Sequence, residues 1–144
     1  MKRLFFLLCL PLIFLGCGGD SNPADNGGRP IADGTYVLPA KSFVEFRFSV
    51  DADQLRNVFL QGTIEITGGS IDIAVMNETN FQTWQSGATP AVLYSSGLTP
   101  RTSFRIQIDT TDTYYLVYSN VQGTDPRTVK SEVFLFSSIE VGEI

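Results

Sequence analysis

Apolar and polar residues alternate along several stretches of this chain. Residues 58–66, 71–75 and 104–108 follow the pattern, and the clearest case is Val44, Phe46, Phe48 and Val50, which alternate with Glu45, Arg47 and Ser49. A period of two is typical of strands that turn one face to a core. The chain is therefore predicted to be mainly β.

Further strands are predicted where the pattern differs. Residues 114–119 are aromatic or apolar almost throughout, which favours a central strand covered on both faces. A last strand is predicted over residues 128–137, with shorter ones near Tyr36 and Val92. Turn residues separate the strands at 51–53, 68–69, 96–97, 109–112 and 123–126.

One segment, residues 77–87, has the signals of a short helix. Asn77 can cap the first turn, Phe81 and Trp84 lie three residues apart on one face, and Gly87 can end the helix. We expect the helix to cross the end of the sheets, with Phe81 and Trp84 closing an open edge of the core.

These elements predict an all-β fold: an antiparallel β-sandwich, jelly-roll-like, of about eight strands with one short capping helix. Residues 69–84, 94–97 and 113–120 resemble the bacterial pre-peptidase C-terminal domains and the GOLD-like domains of emp24-type cargo receptors. The resemblance implies a non-catalytic module that contacts proteins or glycans.

The amino-terminal residues indicate export. Lys2 and Arg3 precede an apolar run over residues 4–15, and the small residue Gly16 follows it. This order is typical of a secretory signal peptide. At about 1.5 Å per residue, the run is too short to cross a hydrocarbon core of about 30 Å as a helix. We predict that residues 1–16 are removed.

Cys17 follows this leader directly, and residues 14–17 resemble a bacterial lipoprotein box. The resemblance implies that Cys17 is diacylated, with palmitate as a typical chain, and becomes the first residue of the mature protein. Two acyl chains hold a protein stably on a membrane. Gly18 in the next position implies, by resemblance, sorting to the outer membrane. The alternative is an ordinary signal peptide that leaves Cys17 as a plain thiol.

The residues after Cys17 predict a linker. Residues 18–30 carry no large apolar side chain, so they cannot offset the entropy of ordering. We predict a lipidated flexible tether over residues 17–30 and a β-sandwich domain over residues 31–144. The formal net charge of −5, which becomes more negative without the leader, argues against nucleic acid as a partner.

Residues for catalysis are scarce. The chain contains no histidine, the usual general base and zinc ligand, and Cys9 leaves with the leader. Lys41 with Ser42, and Lys130 with Ser131, are adjacent pairs whose side chains point to opposite faces of a strand. We predict no cofactor and no enzymatic activity; a hydrolase that uses carboxylates alone is a minor alternative.

Acidic and aromatic residues supply the candidate sites. Asp51, Asp53, Asp109 and Asp112 lie in predicted turns, where aspartate bonds its own backbone; calcium binding is the sharper alternative. Trp84 and Tyr94 are the candidate ligand-binding residues, with Tyr114, Tyr115 and Tyr118 as further members of a sugar-stacking surface, and core packing is the alternative for all of them.

Three functions follow from these observations. The first is a lipid-anchored, non-catalytic module of the bacterial envelope that contacts another protein. The second is a carbohydrate-binding module that uses Trp84 and exposed tyrosines. The third is the carboxylate hydrolase.

Overall fold

The structure is a computed structural model that describes residues 28–139. Eight strands and one helix follow each other along this part of the chain. The elements are β1 Arg29–Leu38, β2 Phe43–Val50, β3 Leu55–Thr67, β4 Ile71–Asn77, α1 Glu78–Gln85, β5 Tyr94–Thr99, β6 Arg101–Gln107, β7 Asp112–Ser119 and β8 Arg127–Ile139.

The strands form two four-stranded antiparallel sheets. The first sheet has the order β1-β8-β3-β6 and the second has the order β2-β7-β4-β5. The first strand pairs with the eighth, the second with the seventh, the third with the sixth and the fourth with the fifth. This is the pairing of one long antiparallel ribbon rolled into two sheets, and it confirms the predicted β-sandwich with jelly-roll connections.

The main core lies between the two sheets. It consists of the inward-facing apolar residues of the alternating strands. Val58, Leu60 and Ile64 of β3 are buried, as are Ile73 of β4 and Leu116 of β7. In β7 the residues on the other face are buried too, as predicted for a central strand covered on both sides.

A buried polar link joins the two sheets across this core. The Ser131 hydroxyl of β8 donates to the Ala32 carbonyl of β1, with the oxygen atoms 2.8 Å apart. Because that bond uses the only hydroxyl proton of Ser131, the Tyr118 hydroxyl of β7 donates to Ser131. Burial raises the pKa of the Tyr118 phenol, so it remains the donor.

The strand predicted near Val92 is β5, which begins at Tyr94. The turn predicted at residues 96–97 is wrong, because these residues lie inside β5. The register of β4 and β5 shifts between Asp72 and Ala74, and Gly97, with φ of +62°, accommodates this bulge. The chain changes sheets instead at Pro100, between β5 and β6.

The sandwich also begins earlier than predicted. Arg29 and Pro30, expected in the tether, belong to β1 because they pair with Leu135 and Phe134 of β8. The leader, Cys17 and the rest of the tether lie outside the described residues. Within residues 28–139, no helix has the length and apolar character needed to cross a membrane.

Candidate functional site

Helix α1 is positioned by the residue that precedes it. Asn77 is the last residue of β4, and its side-chain oxygen accepts a hydrogen bond from the Asn80 backbone amide at 3.0 Å. Its amide nitrogen donates to Asp112 at 3.2 Å. With no residue between strand and helix, α1 folds back over the outer face of the second sheet.

This placement corrects the expectation that the helix closes an open edge of the core. The Phe81 ring stacks on Tyr115 with ring centroids 4.0 Å apart. Together with Met76 and Val117 these rings form a second apolar cluster outside the sandwich. The cause is that β4 and β7 carry apolar side chains on both faces, and α1 covers the outer one.

Beyond the end of α1 the outer face of the second sheet remains open, and it forms a cleft of about 690 Å³. We call this cleft the outer groove. Short strand side chains make its floor, and longer apolar ones border it. The floor contains Ala74, Val117 and Ser119, and the border includes Phe43, Trp84, Val92 and Val121.

Asp72 of β4 also lies in the floor of the outer groove. The strand register places it between Ser119 of β7 and Leu98 of β5. Its side chain is half-buried, and burial raises the pKa of its carboxyl above the usual 3.8. A carboxylate here is therefore poorly solvated.

A smaller recess of about 270 Å³ continues from Asp72 and includes Arg127. Arg127 forms no ion pair with Asp72, and its terminal nitrogen donates instead to the backbone carbonyls of Asp125 and Pro126 at 3.1 and 3.2 Å. Among residues 28–139, no cationic side chain forms an ion pair with Asp72.

The structure separates the two predicted ligand-binding residues. Trp84 is half-buried at the groove, where its ring meets Phe43 edge-on at 4.8 Å. Tyr94 lies on the inner side of the second sheet, with its ring 4.9 Å from Phe104 and its hydroxyl bonded to Thr102.

The other tyrosines of the expected stacking surface are buried. Tyr114 and Tyr118 belong to the main core, and Tyr115 lies beneath Phe81. A sugar-stacking surface of several tyrosines is therefore not formed. Trp84 remains at the groove as the aromatic candidate.

The four acidic turn residues lie near one end of the sandwich. The Asp51 carboxylate accepts from the backbone amide of Asp53 at 3.1 Å, and Asp112 accepts from Thr113 at 2.7 Å and from Asn77. The Asp51 bond is the turn role of aspartate, whereas Asp112, predicted in a turn, is the first residue of β7. Across the part of the chain that the structure describes, no three acidic, histidine or cysteine side chains group together to hold a metal, and Asp109 completes no such set.

The sequence did not single out Asp72, Val92 or Val121. Asp72 is one polar residue in an alternating strand, like many others. Val121 and Val92 lie in loops, and only the return of α1 over the sheet brings them to one groove. The weak signal was Met76, an apolar residue on the face of β4 expected to be polar.

Neither a family model nor a curated protein matches this chain. The resemblance to pre-peptidase C-terminal and GOLD-like domains stays a prediction, and the outer groove carries the argument for function.

Proposed function

We propose that this chain is a lipid-anchored, non-catalytic module of the bacterial envelope, whose outer groove binds a segment of another protein. The observation that carries the proposal is the exposed apolar border of the groove. Phe43 is 38% exposed, Val92 41% and Val121 42%. Apolar side chains clustered around a cleft are typical of protein interaction sites.

The groove also suits an extended segment rather than a flat surface. Its floor is made of the small side chains of Ala74 and Ser119, so inserted side chains have room. Ser95, exposed on the edge strand β5, lines the same cleft. Anchor side chains that fill such pockets supply most of the binding free energy in protein interfaces.

The sequence supports the membrane and non-catalytic parts of the proposal. The apolar leader followed by Gly16 and Cys17 has the order of a lipoprotein signal. The absence of histidine from the chain removes the usual general base.

Site-specific photo-crosslinking in cells tests the proposal. A benzophenone side chain introduced at Val121, or separately at Val92, should give a discrete protein adduct. Val37 is the matched control, because it is also valine, is 69% exposed and lies on the first sheet, away from the groove. Ser95→Trp, which fills the groove, should remove the adduct. No adduct at either groove position, or an equal one at Val37, contradicts the proposal.

Carbohydrate binding is a second candidate, because Trp84 lines the groove together with the amide side chains of Gln85 and Gln122. An aromatic ring beside hydrogen-bonding side chains suits a sugar ring. A glycan array probed with the purified chain and with Trp84→Ala tests it. Glycan binding that Trp84→Ala abolishes supports this function, whereas a blank array rejects it.

A further inference from the structure

The outer groove contains one charged side chain in a setting that is otherwise apolar or uncharged. Among the described residues that line it, only Asp72 is ionisable. Its neighbours in the same row of the sheet are Phe43, Ser119 and Leu98, none of which carries a charge. A carboxylate in such a setting, without an ion-pair partner among the described residues, favours a cation from a partner.

We propose that the partner segment places a lysine or arginine side chain on Asp72, and apolar side chains to either side of it along the outer groove. This inference rests on the proposed function and names the chemistry of its partner. Trp84 and Val92 border one part of the groove, while Leu98, 64% exposed, lies beside Asp72 at the adjoining recess. A partner segment with one basic residue between apolar residues matches this arrangement of Asp72 between apolar side chains.

Residues 18–27 and 140–144, which flank the described part of the chain, offer no cation to Asp72. Residues 18–27 contain two aspartates and no lysine or arginine. Residues 140–144 read Glu-Val-Gly-Glu-Ile and are likewise without a cation. Either flank would add negative charge next to Asp72 rather than neutralise it.

The half-buried position of Asp72 makes this contact selective. A charge-assisted hydrogen bond is stronger in a poorly solvated site than at an open surface, where water and salt screen it. Asp72 is half-buried in the groove floor, and this partial burial raises the pKa of its carboxyl. A partner with a neutral or acidic residue at that point leaves the carboxylate without compensation and binds more weakly.

Binding of a positional-scanning library of capped heptapeptides without tryptophan tests the inference on the full chain in detergent. Trp84, the only tryptophan of the chain, lines the groove and reports binding through its fluorescence. Mixtures with lysine or arginine fixed at one position should bind about tenfold more tightly than those with glutamine there, as one charge-assisted hydrogen bond allows. Asp72→Asn should remove this preference. The matched control Glu132→Gln also removes one negative charge, but on an exposed residue of the first sheet, and should keep it.

The outcomes separate this inference from the proposed function. Peptides that bind without a basic preference, or whose preference survives Asp72→Asn, overturn the role of Asp72. If Ser95→Leu, which narrows the groove without adding a second tryptophan, blocks them, the groove remains a peptide site. If no mixture binds and a glycan changes Trp84 fluorescence instead, both the peptide function and the inference are overturned. A preference lost in Asp72→Asn and kept in Glu132→Gln supports both.

Discussion

At the scale of single residues, Asp72 affects stability as well as binding. Its pKa is raised by burial above the usual 3.8, so the folded state binds a proton there more readily than the unfolded chain. Between 3.8 and the raised pKa, the free energy of unfolding therefore falls as the pH rises. Above that window the whole cost of holding a half-buried carboxylate remains.

Asp72→Asn should accordingly raise the melting temperature at about pH 7, because it removes that cost. The gain should shrink as the pH falls and vanish below 3.8, where Asp72 is protonated in both states. Thermal melts of the wild type and the variant across this range measure the effect. Glu132→Gln is the control, and a gain of equal size there would mean that general charge repulsion is the cause.

The hydrogen bonds that join Tyr118, Ser131 and Ala32 predict that removal of the Tyr118 hydroxyl and removal of the Ser131 hydroxyl differ in their effect on stability. Tyr118→Phe removes one donor and leaves Ser131 bonded to Ala32, at a cost of ~1 kcal/mol. Ser131→Ala leaves the buried Tyr118 hydroxyl without its acceptor, at a cost of ~2 kcal/mol. Urea unfolding of both variants measures the difference. Equal costs would mean that Tyr118 finds another acceptor.

At the scale of elements, α1 depends on Asn77, the capping residue that precedes it. Asn77→Ala removes the cap and the bond to Asp112, and should cost ~1 kcal/mol of stability. Because the helix positions Trp84 at the groove, the fluorescence emission of Trp84 should shift to longer wavelength as the helix frays. Gln82→Ala is the control, because Gln82 is an exposed helical residue whose side chain does not cap the helix. This variant should leave the Trp84 emission unchanged. An unshifted spectrum in Asn77→Ala would show that Phe81 alone holds the helix.

The strands were predictable from sequence, whereas the site was not. Alternation located β2, β3, β4 and β6 because each has one face in the core, and Asn77 marked the start of α1. The sequence also predicted that β7 is covered on both faces, but it placed Phe81 at an open edge of the core. The sequence did not predict that Phe81 packs on Tyr115 of β7, because the two residues are distant in the chain and no local pattern encodes their stacking. That contact positions α1, and with it Trp84, at the outer groove.

At the scale of the whole molecule, the anchor and the domain should behave independently. Cys17→Ser should abolish labelling by an alkyne palmitate and move the protein out of the detergent-rich phase, because the acylated thiol is lost. The sandwich begins at Arg29, so its β signal in circular dichroism should not change. A wild type that takes no label would instead leave Cys17 as a free thiol.

The rolled ribbon has a consequence for how the protein is made. β1 hydrogen-bonds to β8, and β8 also lies between β1 and β3. Synthesis delivers the amino end first, so β1 has no partner strand until β8 has been made, and β2 has none until β7 has been made. We expect both sheets to be completed only when nearly all of the chain has emerged, a delay that would suit the proposed export of an unfolded chain.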